Sequence, residues 1–258
     1  MKKKFLAIAT ALVMLTSLSA CGSENSGEPS AAPIDVEASP QEIIDQVIEA
    51  QQPSNGVSYT MHYESNITFG DYHNLLINDI SVQHNPYREF RTLISKDPAT
   101  GDVYGNIEIF IYVDDGKTYY VARDAADPHG EWKKAIAEDS NGILPTVDQM
   151  LADKAPADLV LGMLDNPVVT EKDGEIVLTG TYSQGGNAQI ANVTFMIDKA
   201  TSLITRMESS SGEGEYTMTS FSEYSKYGET EVTIPQEVLD ISISPDFPFE
   251  IFQIPETP

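Results

Sequence analysis

The stretch V-S-Y-T-M-H-Y-E-S-N-I-T-F, Val57 to Phe69, alternates apolar and polar residues, with Ser65 as the one polar residue in the apolar register. A period of two is the period of a β-strand. Val57, Tyr59, Met61, Tyr63, Ile67 and Phe69 therefore share one face, and the segment predicts a long strand with that face buried.

What covers the strand is suggested just upstream. Ser39-Pro40-Gln41-Glu42 is a capping-box pattern with Ser at the N-cap, Pro at the first helical position and Glu three residues on. Ile43, Ile44, Val47 and Ile48 then recur at helical spacing, which predicts an amphipathic helix to about Gln52, ended by Pro53 and Gly56. Downstream, similar strands are predicted at Asn74 to His84, Tyr87 to Ser95, Tyr104 to Val113 and Lys117 to Arg123. A second group covers Ile176 to Tyr182, Ile190 to Asp198, Leu203 to Glu208 and Glu215 to Tyr224. Asp114-Asp115-Gly116 and Lys172-Asp173-Gly174-Glu175 are hairpin turns, because Asp-Gly tolerates the positive φ such turns need.

Between the two groups Thr146 can cap a helix carrying Val147, Met150 and Leu151. Pro156 breaks or restarts it before Leu159, Val160, Met163 and Leu164. Strands joined by short turns make an antiparallel sheet, and helices inserted at the start and middle collect on one face. The expected class is α+β.

The chain begins differently. Lys2, Lys3 and Lys4 precede an apolar run from Phe5 to about Leu18, then Ser19 and Ala20, so residues 1–20 read as an export signal. The run is too short for a spanning helix. Residues 21–38 hold the one cysteine, Cys21, followed by Ser, Gly, Pro and Glu with little to bury, the composition of a disordered tether. Residues 39–258 form a single domain with a Pro-rich C-terminal tail.

Charge excludes some partners. The chain has 40 acidic and 15 basic residues, a formal charge of −25. Without the three lysines of the signal the balance is 12 against 40, or −28. Such a surface repels phosphate backbones, so nucleic acid is not an expected partner.

Leu18-Ser19-Ala20-Cys21 resembles the lipobox of bacterial lipoproteins. The resemblance implies diacylglyceryl transfer to the Cys21 sulfur and cleavage before it, which would place the protein at the cell membrane on its extracytoplasmic face. Two acyl chains anchor stably where one binds only marginally.

Three further strings carry a second resemblance: I-I-D-Q-V-I-E-A leading to V-S-Y-T-M, the hairpin F-M-I-D-K-A-T-S-L-I-T-R-M-E from Phe195 to Glu208, and F-S-E-Y-S-K-Y-G-E-T-E-V-T-I-P-Q-E-V from Phe221 to Val238. Together they resemble the LolA-like family of lipoprotein carriers and lipid-binding lipoproteins, and related Gram-positive lipoproteins. This resemblance implies a strongly curved antiparallel sheet, a half-barrel, whose concave face is covered by helices. Members use the space between sheet and helices for acyl chains or other apolar ligands. The residues that would line it here are Tyr59, Met61, Tyr63, Ile109, Ile111, Met150, Leu151 and Leu164.

No catalytic signature accompanies these strings. The sequence has no G-x-S-x-G elbow, no S-x-x-K, no H-E-x-x-H and no P-loop. His62, His73, His84 and His129 are scattered, and Asp139-Ser140-Asn141-Gly142 reads as a turn rather than a calcium loop, so neither metal nor cofactor is expected. Trp132 is core or the plug of a cavity, and the tail from Ser244 to Pro255 either packs on a sheet edge or docks a partner. Two functions remain: a binder of a lipid or other hydrophobic ligand, or a cell-envelope interaction module with a filled core.

Overall fold

A computed structural model describes residues 33–51, 57–152, 160–183 and 190–249. Cys21 and the signal lie outside the described residues, as do most of the tether, Pro156 and the end of the tail.

Helix α1 (Pro40–Ala50) starts where the capping box places it: the Glu42 amide donates to Ser39 Oγ, and the Ser39 amide to Glu42 Oε2 at 2.8 Å. Six strands follow: β1 (Tyr59–Phe69), β2 (Tyr72–Gln83), β3 (Arg88–Lys96), β4 (Val103–Asp114), β5 (Lys117–Asp124) and β6 (Lys133–Ile136). A crossover holds a short 3-10 turn (Ala137–Asp139), α2 (Val147–Ala152) and a helical turn at 160–162. Five more strands complete the sheet: β7 (Asp165–Lys172), β8 (Glu175–Ser183), β9 (Ile190–Asp198), β10 (Ile204–Glu213) and β11 (Tyr216–Ser225), before α3 (Gln236–Leu239).

The eleven strands form one antiparallel sheet in the order β6-β5-β4-β3-β2-β1-β11-β10-β9-β8-β7. Every neighbour pair is a hairpin except β1 with β11, which joins the two groups at the centre. The sheet is curved and unclosed. Register shifts fall between Ser95 and Lys96, Ile204 and Arg206, and Asp165 and Val168, and bulges of this kind bend a strand and raise its twist.

β6 and β7 were not expected, and both are edge strands. β6 is four residues long and β7 carries Pro167, which only an edge accommodates. They also set the route of the crossover. Ten strand spacings of about 4.8 Å separate the two edges along the sheet, so the chain between them crosses one face. On that face Leu144, Val147 and Met150 join a buried cluster with Tyr59, Met61 and Ile109, while Leu161, Leu164 and the α1 residues Ile43, Ile44 and Val47 join another with Leu178 and Phe195. The expected apolar stripe is shifted, since Met163 is 50% exposed and Leu161 takes the buried place.

The opposite face has its own cluster of Phe110, Tyr112, Val121, Ile234 and Val238, with Trp132 against it. β4 is therefore covered on both faces, and Trp132 lies against Phe110 and under the Arg123 guanidinium, away from the helices. The cover is the segment after β11. It runs from Val232, whose carbonyl accepts from Arg88 of β3, through α3 to Ile243, which forms a parallel bridge with Lys134 of β6, and returns to the helix-bearing face at Phe247. The Ser244 amide donates to the Lys134 carbonyl at 2.8 Å and the Lys134 amide to Ser244 Oγ at 3.1 Å, so the free edge of β6 is paired. This part of the tail packs on an edge.

Candidate functional site

Register builds the helix-bearing face row by row. Tyr59 aligns with Val82, Glu89, Ile111 and Tyr120, and Met61 with Ile80, Arg91 and Ile109. Of the residues expected to line a ligand space, Tyr59, Met61, Tyr63, Ile109, Ile111 and Met150 are buried in one cluster, with Leu151 packed against it. Leu164 belongs to the other cluster, where it lies over the bare backbone of Gly180. The crossover is pinned to this face by Tyr120, whose hydroxyl donates to the Pro145 carbonyl at 2.8 Å, and by the Val147 amide, which donates to Thr118 Oγ1 at 2.9 Å.

Sequence reasoning missed the charge within this apolar layer. Glu89 is fully buried, accepts from Arg91 Nε, and accepts from the Tyr87 hydroxyl at 2.5 Å. Burial pushes the Tyr87 phenol above its usual range. The alternation in E-F-R-T-L-I-S put these two charges on the buried face, and that was the signal available. Beside them His84 lies between the Tyr59 and Tyr87 rings, 6.5 and 6.1 Å away by centroid. Its desolvation lowers the imidazole to about 4, so it is neutral at ordinary pH.

Next comes a polar tier. Tyr63 aligns with Asn78 on one side and Ser222 on the other, and Ser65 with Leu76 and Ser220. Ser95 Oγ donates to Asn74 Oδ1 at 2.8 Å, and the Ser209 and Ser220 hydroxyls share a bond of 2.7 Å. Asn78 is 2% exposed, and its Oδ1 has no hydrogen-bond partner among the described residues.

The face ends in rings. Ile67 pairs with Met218, and beyond them Phe69 stands directly between Tyr72 on β2 and Tyr216 on β11. Alternation predicts a buried Phe69; instead it is 62% exposed and Tyr72 40%. α1 and α2 pack in the clusters nearer the other end of the strands, so this last row has no helix above it among the described residues.

The remaining candidates do not converge. His62 meets Asp79 at 2.6 Å and Glu64 at 3.3 Å at the surface, and His73 meets Thr68 at 3.2 Å. Asp139 to Gly142 is a turn in which the Ser140 hydroxyl donates to the Ala137 carbonyl and accepts from the Leu144 amide. Among the described residues no three His, Cys, Asp or Glu side chains are grouped to hold a metal ion, and no helix is long and apolar enough to cross a membrane.

No family model and no curated protein matches the chain. Among solved structures it is similar to a DUF1329 family protein from Desulfovibrio piger, at 12% identity and a TM-score of 0.31, covering 77% of this chain and 96% of that one. It is also similar to a LolA superfamily protein from Nitrosomonas europaea, at 12% identity and a TM-score of 0.25, covering 78% and 97%. Likenesses of this size leave the functional reading to the chain's own residues.

Proposed function

We propose that the protein is a membrane-anchored extracytoplasmic lipoprotein, held by a lipid on Cys21 and its tether, that binds a lipid or other hydrophobic ligand without catalysing a reaction. In this reading the helix-bearing face is the concave face of a LolA-like half-barrel, and the ligand lies between the sheet and the cover made by α1 and the crossover. The carrying observation is the row Tyr72, Phe69, Tyr216: three rings in register, partly in water, backed by Ile67 and Met218 and separated from the buried apolar layer around Tyr59 and Met61 by the serine tier. An exposed apolar patch joined to a concave interior is where an apolar molecule is taken up.

The second reading, an envelope interaction module with a filled core, draws on the close packing of Tyr59, Met61, Ile109 and Met150 in one buried cluster. Native mass spectrometry of the purified chain with solvent extraction separates the two. A co-purifying mass of a few hundred daltons or more, lost on denaturation and diminished in Phe69→Ser, is the expected result. A bare mass from several hosts, with no uptake of an apolar fluorophore, favours the interaction module.

A further inference from the structure

We propose that the ligand is an amphiphile with an uncharged, hydrogen-bond-donating polar group, a hydroxyl-bearing acyl ester rather than a fatty acid or phospholipid, and that Asn78 receives that group. The inference rests on the ligand-binding reading and names the class of ligand. Three observations combine.

The first is an acceptor without a donor. Asn78 is 2% exposed, stands between Tyr63 and Leu93 on the helix-bearing face, and its Oδ1 is unpartnered among the described residues. Buried carbonyl oxygens of this kind are nearly always satisfied, so the position calls for a hydroxyl or an N–H. The second is the neighbouring row. Ser65, Ser95, Ser209 and Ser220 are small and neutral, and although Leu76 stands among them they break the run of large apolar side chains on this face. Such a row accepts a polar group in the middle of an apolar molecule. It lies one row inside Ile67 and Met218, and those lie one row inside Phe69.

The third is charge. In the rows from Tyr63 to Ile67 no Lys, Arg or His stands on this face among the described residues, and Arg91, the cation in the adjoining row, is matched by the buried Glu89. A carboxylate or phosphate brought here would lose its water with no counter-charge, whereas a glycerol hydroxyl loses little once it donates to Asn78.

The test uses the full chain and three lipids with the same oleoyl chain: 1-monooleoylglycerol, oleate and 1-oleoyl-lysophosphatidate, each titrated against a bound apolar fluorophore at high salt. Monooleoylglycerol is expected to displace it at about tenfold lower concentration than either anion, and Asn78→Leu, whose thermal midpoint should not fall, is expected to remove that preference. An anion that binds as well as the glyceride, or a preference unchanged in Asn78→Leu, overturns the inference while leaving hydrophobic binding intact. A bound fluorophore that none of the three displaces also overturns the inference alone, whereas failure of the fluorophore itself to bind overturns both.

Discussion

Leu164 fills the space that a side chain on Gly180 would need: a Cβ built there would lie 2.6 Å from Leu164 Cγ and 2.8 Å from the Asp165 carbonyl. The contact is where the crossover comes down onto β8 before turning into β7. Gly180→Ala should therefore cost about 1 to 3 kcal/mol by overpacking, read as a lower urea midpoint at unchanged slope. A neutral substitution would mean that the crossover can lift at no cost.

His84 makes stability depend on pH. The unfolded chain takes up its proton near pH 6.5, whereas the folded chain resists until about 4, so the unfolded state binds more protons between those values. Stability is fully present above pH 6.5 and falls as pH drops, by up to about 3 kcal/mol near pH 4. Urea midpoints measured at pH 7 and pH 5 should differ by less in His84→Phe than in the parent protein.

Glu89 and Arg91 predict a non-additive pair. Glu89→Gln leaves the Arg91 guanidinium buried without its counter-charge, at an expected cost of about 3 to 5 kcal/mol. Combining Glu89→Leu with Arg91→Met should be much milder than either charge removed alone. Equal, additive losses in the cycle would show that the two charges are satisfied independently.

On the opposite face Val238 is buried against Phe110 and Val121. Val238→Asp should loosen the segment after β11, exposing that apolar cluster and freeing the β6 edge. The expected signs are stronger binding of a hydrophobic dye and a tendency to aggregate, with β-sheet circular dichroism largely kept.

Legibility followed local chemistry. The α1 cap, the strand from Tyr59 and the turns at Asp115-Gly116 and Asp173-Gly174 were readable because each is decided within a few residues; all four turn positions have positive φ. β6 and β7 escaped because a four-residue K-K-A-I and a D-N-P-V-V-T-E-K segment lack alternation, their strand form coming from a neighbour. At the site, the apolar residues were found by pattern, but Phe69 obeys the alternation and is exposed, because exposure depends on where the cover stops. Asn78 carried no local sign of its role, since an unmet carbonyl is visible only once its surroundings are known.

The β1 to β11 seam has a consequence for how the molecule is made. Residues paired across it, such as Ser65 and Ser220, are about 155 positions apart, so the centre of the sheet is the last part to find its partner. Until β11 arrives, β1 is a free edge in the middle of the future sheet and the two groups of strands are separate ribbons. Folding should then be slow and strongly cooperative. A chain interrupted before residue 216 would lack the middle of the structure rather than its end, with the rings of Phe69 and Tyr63 on a strand paired only to β2.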